Sequence, residues 1–364
     1  MNAKKTTPVM AVYNELPRPT FRTIKVNNLE LELLPEQPSG KYTPQNQCEG
    51  DISLYFYQGN GMPDLGDFRG ANGDALERAL RHADKGCAIE AEAGTRGTAR
   101  LVYEVTDDHP VLNRQLRITA RSGSDVTVYL VFEGGADGGE VNLLHYIYAE
   151  AGAHVKIVKV QVHEGNVRHI EHRYAETAEG SAVEYVSAEL GAKEAILYYK
   201  TDLLHDESTF DSKSLYLGQD KQIIDFSYWI PMKGKKTKAD VMIAGALQDE
   251  SKKAFRGTID FLRGSKKAVG SEADTCILLS PKVHSISVPL LLCKEDDVVG
   301  NHASSAGQID QDTLFYLMSR GFDYKGAQAI IVESHIRPVV DAIGDGALAE
   351  RVLQTVRERM NSQG

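Results

Sequence analysis

The sequence predicts a mainly β protein whose core is a coiled solenoid of strands, finished by a group of helices. Three observations carry that expectation. From about residue 99 to residue 292 no long helical period survives, and short alternations of apolar with polar residues take its place. Several of these alternations open on the same cue, a small turn residue and then a strand, and few are joined by the Asn-Gly or Asp-Gly pair that closes a tight hairpin. Past residue 309 the apolar spacing becomes that of amphipathic helices. The chain is therefore divided into residues 1–98, irregular and partly helical, residues 99–308, the β core, and residues 309–364, a three-helix domain.

In chain order, residues 1 to about 70 are rich in Pro, Gly, Asn and Gln, and partial disorder is expected at the very start. The alternating run Leu29–Leu34 suits a strand. Gly73–Gly86 reads as a helix capped by Asp74, with Leu76 and Leu80 aligned and Gly86 as its stop. Strand candidates follow at 100–105, 126–132, 154–162, 183–186, 222–230 and 255–261. Turn glycines before strands stand at 152, 180, 218 and 264, at gaps of 28, 38 and 46 residues. Such irregular spacing suggests a solenoid with insertions more than a propeller of equal blades. A sandwich of hairpins is the alternative, and the poverty of hairpin turns favours the coil.

Pro289–Cys293 reads as a short buried strand delivering Cys293, Asp296, Asp297 and His302 to a turn. A helix then starts at the cap Asp310, with Asp312 in its first turn, Leu314, Leu317 and Met318 on one face, and Gly321 as a left-handed stop. A second helix is expected over Asp323–Ile336, limited by Pro338, and a third over Asp345–Met360 with Leu348, Val352, Val356 and Met360 on one stripe. These helices either cover the open end of the solenoid or bind a partner.

Composition narrows the function. A net charge of −10 argues against a nucleic-acid surface, which needs clustered basic residues. No apolar run approaches the roughly twenty residues that cross a bilayer, and no signal-peptide core follows the N-terminus, so a cytoplasmic protein without stable membrane association is expected. Cys48, Cys87, Cys276 and Cys293 form no CxxC pair, which speaks against a disulfide framework or a structural zinc site. Gly234-Lys-Lys-Thr-Lys lacks the upstream glycine of a P-loop, so no ATP site is expected in this chain. His302, among Asn301, Ser304 and Ser305, is the best single ligand candidate for iron or zinc, its bland alternative being a solvated histidine. His163, His169 and His172 do not suit a metal, because residues three apart on a strand face opposite ways.

The run from the acidic pair Asp296-Asp297 through His302, Ser304-Ser305, Gly307, Ile309-Asp310 and Leu314-Phe-Tyr-Leu-Met-Ser-Arg-Gly321 resembles the C-terminal signature of the SufB/SufD family of iron–sulfur cluster assembly scaffolds, nearer SufD. The likeness is dense from about Asp274 to Val340 and looser before it, with Leu16-Pro-Arg-Pro-Thr-Phe-Arg similar to the proline-flanked opening of many members. It implies a right-handed parallel β-helix with helical ends, acting as a non-catalytic scaffold in the cytoplasm. The implied partners are a SufB-like subunit, or a second copy in a homodimer, and a SufC-type ABC ATPase docked on Leu314, Phe315, Tyr316, Leu317, Arg320 and Gly321. The implied cargo is iron or a nascent iron–sulfur cluster, held transiently and shared with the partner subunit, with His302 and Cys293 as contacts. Since four ligands are usual, one imidazole and one thiol do not complete a cluster. Asp274 stands where SufB members carry their essential cysteine, with Cys276 two residues on and on the same face of an extended segment. The chain has His302-Ala303 where SufB has His-Glu, and Gly300-Asn301-His302 where many SufD members have Cys-Ser-His. The mechanism implied is mechanical: ATP-driven closure of the ATPase shifts the helix after residue 310 and so moves Cys293 and His302. A carbohydrate-active β-helix lyase or esterase using Asp225 or Asp240 is the rival, weakened by the presence of only one Trp.

Overall fold

The computed structural model describes residues 9–20, 25–33, 42–59, 61–81 and 85–361. The expectations for the extreme start, for Phe21 and Arg22, for Leu34 and for residues 82–84 lie outside those residues. Strand β1 (Met10–Tyr13) pairs antiparallel with β2 (Leu29–Glu32); β3 (Gln45–Gly50) and β4 (Ile52–Tyr57) follow, and then α1 (Gly73–Arg81). Asn72 caps α1, its side-chain oxygen accepting the Ala75 N–H at 3.0 Å, while Asp74 sits in the first turn. Gly86 opens the next strand and does not close the helix.

The core is a two-sheet parallel solenoid. Its strands are β5 (Gly86–Ala91), β6 (Arg96–Val105), β7 (Val111–Ala120), β8 (Asp125–Gly134), β9 (Glu140–Ala149), β10 (His154–Gln161), β11 (Arg168–Thr177), β12 (Ala182–Glu189), β13 (Glu194–Asp202), β14 (Thr209–Gly218), β15 (Ile223–Met232), β16 (Lys238–Leu247), β17 (Lys252–Phe261), β18 (Ala268–Leu278), β19 (His284–Cys293) and β20 (Val298–Gly307). Even-numbered strands from β6 build one nine-stranded sheet closed by β3, and odd-numbered strands from β5 build the other, closed by β4. Each rung gives one strand to each sheet, and pairing is in register: His154 to Ala182, Ala182 to Thr209, Thr209 to Lys238. Within these two sheets only β3 and β4 run antiparallel to their neighbours, so the stack ends there in a reversal of polarity. The six alternations read from the sequence fall on β6, β8, β10, β12, β15 and β17.

One corner of the coil explains the irregular glycine spacing. At equivalent positions in successive rungs, Gly94, Gly123, Gly152, Gly180, Glu207, Lys236 and Lys267 all take positive φ, and each N–H donates to the carbonyl one rung along, as Gly152 does to Glu179 and Glu207 to Lys235. Four rungs use glycine, which enters this region without a Cβ penalty, and three use larger residues. Gly218 and Gly264 lie elsewhere, so only Gly152 and Gly180 of the sequence cue belong to the repeat.

Inward side chains stack into a core running from Cys87 to Cys276. Its middle also holds charge. Lys159 Nζ lies 2.6 Å from both Glu171 and Glu189, Arg173 pairs with Glu171, and the guanidinium lies over the rings of Tyr185 and Tyr199 at 4.3 and 4.4 Å. Burial alone would push the Glu171 carboxyl up; Arg173 and then Lys159 hold it well below the usual carboxylate range. A buried charge survives only with such partners.

Both outer faces are covered along the middle of the rod. Helices α3 (Tyr324–Asp341) and α4 (Gly346–Asn361) bury Val332, Ile336, Val339, Val352 and Val356 against Val131, Val158, Val160, Leu215 and Leu217 of the even sheet. They therefore clothe a flank and leave the end of the solenoid uncovered. α3 continues through Pro338, contrary to the sequence expectation, because burial of Val339 and Val340 offsets one missing backbone donor. The N-terminal segment and α1 cover the odd sheet. Asp225 on that face accepts from Arg256 at 2.5 and 2.6 Å and from Asn14 at 2.8 Å, while Arg256 also reaches the carbonyls of Val26 and Asn28.

His172 pins this segment. Its Nδ1 accepts the Ala71 N–H at 2.8 Å, and Nε2 lies 3.1 Å from Asn142 Oδ1, so the ring is neutral with its proton on Nε2. Gly70 leaves the room, since a Cβ there would meet Nδ1 at 2.4 Å. Burial pushes the imidazole down to about 3, whereas in the unfolded chain it titrates near ~6.5. As pH falls below about 6.5 the unfolded state alone gains this proton, and stability drops by about 1.4 kcal/mol per pH unit from this group until the folded pKa is reached. Thermal unfolding at pH 7, 6 and 5 should show the midpoint falling, with a shallower fall in His172→Gln together with a lower midpoint at pH 7; equal slopes would refute the assignment.

Candidate functional site

The last rungs differ from the rest of the rod because nothing stacks on them. Among the described residues β20 is exposed over nearly its whole length, and β19 is largely half-buried. His302 is not in a turn: it lies on β20, and the turn is Lys294–Asp297. Val298–Gly307 is extended because β18 beneath it offers a full parallel partner.

Register fixes what each terminal residue covers. One inward column on the even sheet runs Val128, Ile157, Tyr185, Ser212, Val241, Glu272, His302. The adjacent inward positions place Ser304 on Asp274 and Ala306 on Cys276. Asp274 and Cys276 thus share the inward face of β18, as the sequence expected, and Glu272 joins them. On the odd sheet, Ser285, Pro289, Leu291 and Cys293 cover Lys253, Gly257, Ile259 and Phe261.

These inward groups differ in how they are satisfied. Asp274 is buried and accepts from Lys253 Nζ at 2.5 Å, and the ammonium lies 5.8 Å from the Tyr216 ring. Cys276 is buried with its thiol pKa raised by desolvation. Glu272 is 2% exposed, and neither carboxyl oxygen has a hydrogen-bond partner. Burial pushes its carboxyl up to about 8. The Ser287 hydroxyl and the second Asp274 oxygen are likewise unpaired.

Cys293 and His302 are both exposed but are not brought together. Gly300 faces Leu291, since a Cβ on it would meet Leu291 Cδ1 at 3.1 Å. Cys293 is two residues from Leu291 toward the turn, and His302 two residues from Gly300 away from it, an offset of about 13 Å along the strands at ~3.3 Å per residue. That is too far to share one metal ion. No group of three or more His, Cys, Asp or Glu side chains among the described residues is arranged to hold a metal. His169 and His172 face opposite ways as expected, His169 inward beside Phe132 and His172 outward.

Helix α2 (Gln311–Ser319) leaves β20 after Gln308–Asp310. Asp310 caps it, accepting from Thr313 N at 2.8 Å, and Gly321 takes φ +100 just past its end. Leu314 is buried beneath the helix and Leu317 half-buried, whereas Phe315 is 74% exposed, with Tyr316, Met318, Phe322 and Tyr324 also bare. Arg320 lies 5.2 Å from the Tyr316 ring. Of the sequence-predicted docking residues, Leu314 therefore holds the helix down while Phe315 and Tyr316 form the surface.

Asp225 and Asp240 lie on different sheets, and Asp225 is closed off by Arg256 and Asn14, so the two make no acid–base pair. A cleft of about 570 Å³ on the odd-sheet flank, lined by Arg18, Arg69, Tyr198, Trp229 and Asp260, contains none of the predicted site residues. Glu272 was not singled out by the sequence; stepping back one rung from His302 would have found it, but the rung length is visible only once the strands are paired.

The geometry defines a parallel β-solenoid whose polar interior ends at an unpaired strand edge, beside an apolar helix. Residues 103–335 match the family described as SUF system FeS cluster assembly, SufBD core domain, and the chain belongs to that family. It is 26% identical over 196 residues to the iron–sulfur cluster assembly protein SufD of Bacillus subtilis, covering 54% of this chain and 45% of that protein, less than half of the relative's length. It is 23% identical over an alignment of 364 residues to SufD of Escherichia coli, covering 88% of this chain and 84% of that protein. A SufBD family protein of Staphylococcus saprophyticus is 26% identical over 193 residues, covering 53% and 41%. No helix among the described residues is long and apolar enough to cross a membrane.

The Lys253–Asp274 pair makes a prediction. Lys253→Met leaves a buried carboxylate alone and should cost about 3–5 kcal/mol, while Lys253→Met with Asp274→Leu should recover most of the loss. Chemical denaturation measures both; a double variant no better than the single would show that the two groups are not coupled.

Proposed function

We propose that this chain is a non-catalytic scaffold subunit of a SUF-type assembly, pairing through its open end with a SufB-like subunit or with a second copy of itself, and docking a SufC-type ABC ATPase on α2. The observation that carries this reading is the bare last rung. β20 exposes its free backbone edge and its inward side chains together, and an edge of that kind invites another chain unless it is blunted. Family membership and the names of the relatives fit a partner of the same solenoid type.

Iron or a nascent cluster is the cargo at this junction. His302 is a contact this chain offers it, an imidazole suited to a borderline metal, and a partner is needed to complete the coordination. Cys293 is a separate thiol at the other side of the mouth, placed to meet the partner and too distant to share a metal ion with His302. Asp274, held by Lys253, and Cys276, buried as a thiol, lie one rung below this junction.

The apolar surface of Phe315, Tyr316, Met318, Phe322 and Tyr324 suits a protein partner better than solvent. Because only Gln308–Asp310 separate α2 from β20, a force that displaces α2 acts directly on the strand carrying His302. That short tether is what would let nucleotide-driven movement of an ATPase open or close the junction.

Replacing the exposed Phe315 and Tyr316 with Asp should weaken capture of the SufC-type ATPase at least about 30-fold, as loss of roughly 2 kcal/mol from an interface anchor does, while thermal stability changes little; undiminished capture would refute the docking assignment. His302→Ala should preserve pairing with a SufB-like partner yet lower the iron retained by the purified complex, and equal iron content would remove His302 from the cargo site.

A further inference from the structure

The unexplained group at the open end is Glu272. A carboxyl removed from water is costly unless something positive or protic meets it, and the other buried acids among the described residues have such a partner. Glu171 has Lys159 and Arg173, Asp225 has Arg256, and Asp274 has Lys253. Glu272 has no partner at either oxygen. It lies one rung below the mouth of the solenoid, in the same inward column as His302 and in register with it. Adjacent in-register strands hold such side chains about 4.8 Å apart at the backbone, close enough for an imidazole nitrogen and a carboxylate oxygen to converge on one ion.

The surroundings make room for the carboxyl itself. Across the interior, Gly257 contributes no side chain, and a Cβ there would stand 2.4 Å from Glu272 Oε1. In the terminal rung, Gly300 and Ser304 flank His302 at the neighbouring inward positions, both small. The unpaired hydroxyl of Ser287 lies on the facing sheet. A cation entering past the exposed His302 thus meets a buried carboxyl group that has no protein partner and gives up its proton when it binds the ion.

We propose that Glu272 and His302 together form a two-donor half-site for a divalent transition-metal ion of the ferrous class, opening outward so that another subunit completes the coordination. A hard carboxylate beside a borderline imidazole suits Fe²⁺, Co²⁺ and Zn²⁺ over softer ions. Two donors are too few to retain the ion firmly, so this chain presents it and does not store it. The inference rests on the reading of the open end as a cargo junction, to which it adds the identity of the second ligand.

Co²⁺ titration of the purified full-length chain tests it, read by the visible ligand-field bands and by competition with a chromophoric chelator. The expectation is one weak site per chain. Glu272→Gln and His302→Ala should each lower Co²⁺ affinity at least tenfold, the double variant should be no worse than the weaker single, and Glu250→Gln on the exposed rim should bind like the parent. Glu272→Gln is nearly isosteric, and its circular dichroism and thermal midpoint report whether it folds; Glu272→Asp, which keeps the carboxylate on a shorter arm, should retain part of the affinity. Parent-like Co²⁺ binding by folded Glu272→Gln, or no saturable Co²⁺ binding by the parent, overturns the proposal. Capture of a SufB-like partner, measured on the same preparations without metal, separates this failure from failure of the scaffold reading: lost metal binding with intact pairing removes only the ligand assignment.

Discussion

In-register parallel stacking is the constraint on which the rest of this molecule depends. Once strands two apart in sequence pair residue for residue, each inward side chain is fixed between the one below and the one above. Columns result, and a column can change from apolar to polar along the rod without changing direction. Val128 and Ile157 lead through Tyr185, Ser212, Val241 and Glu272 to His302. The site at the end is therefore the continuation of the core and not a decoration of a loop.

Some of this was open to reading in the sequence. β6, β8, β10, β12, β15 and β17 show themselves because apolar inward residues alternate with polar outward ones over enough of their length. β9 and β11 do not, since both faces are buried and their inward positions carry His145, His169, Glu171 and Arg173, which erase the period. β20, with its Gly, Asn and Ser residues, reads as loop from composition and is extended only because β18 templates it. The corner that repeats in every rung is hidden where Glu207, Lys236 and Lys267 take the conformation glycine holds earlier. The C-terminal helices were legible from caps and stripes, but a stripe does not say what it packs against, and these lie on the flank of the rod.

The two flanks are dressed differently. Helices cover the even sheet through an apolar seam reinforced at its rim by Arg100 with Asp345, Arg351 with Glu133, and Lys156 bonded to the Ala342 carbonyl. The N-terminal segment covers the odd sheet through polar anchors as well as packing, with Asp225, Arg256 and His172 reaching out to its backbone or to Asn14. With both sides occupied along the middle, bare protein surface concentrates at the last rung and on α2. That concentration puts His302 on β20 and the exposed face of α2 close together along the chain.

The other extremity is finished quite differently. There β3, with Gln45, Asn46, Gln47 and Glu49, and the aromatic β4 run against their neighbours, so the stack stops at strands of opposite polarity, hydrophilic on one sheet and apolar on the other. If the receptive tip is the one that joins a like rod, the two meet tip to tip about a two-fold or pseudo-two-fold axis. In the pairing proposed above, such a union would consume both receptive tips at once and could not propagate into a fibre, so an edge that is otherwise an aggregation hazard would give a closed pair of defined size.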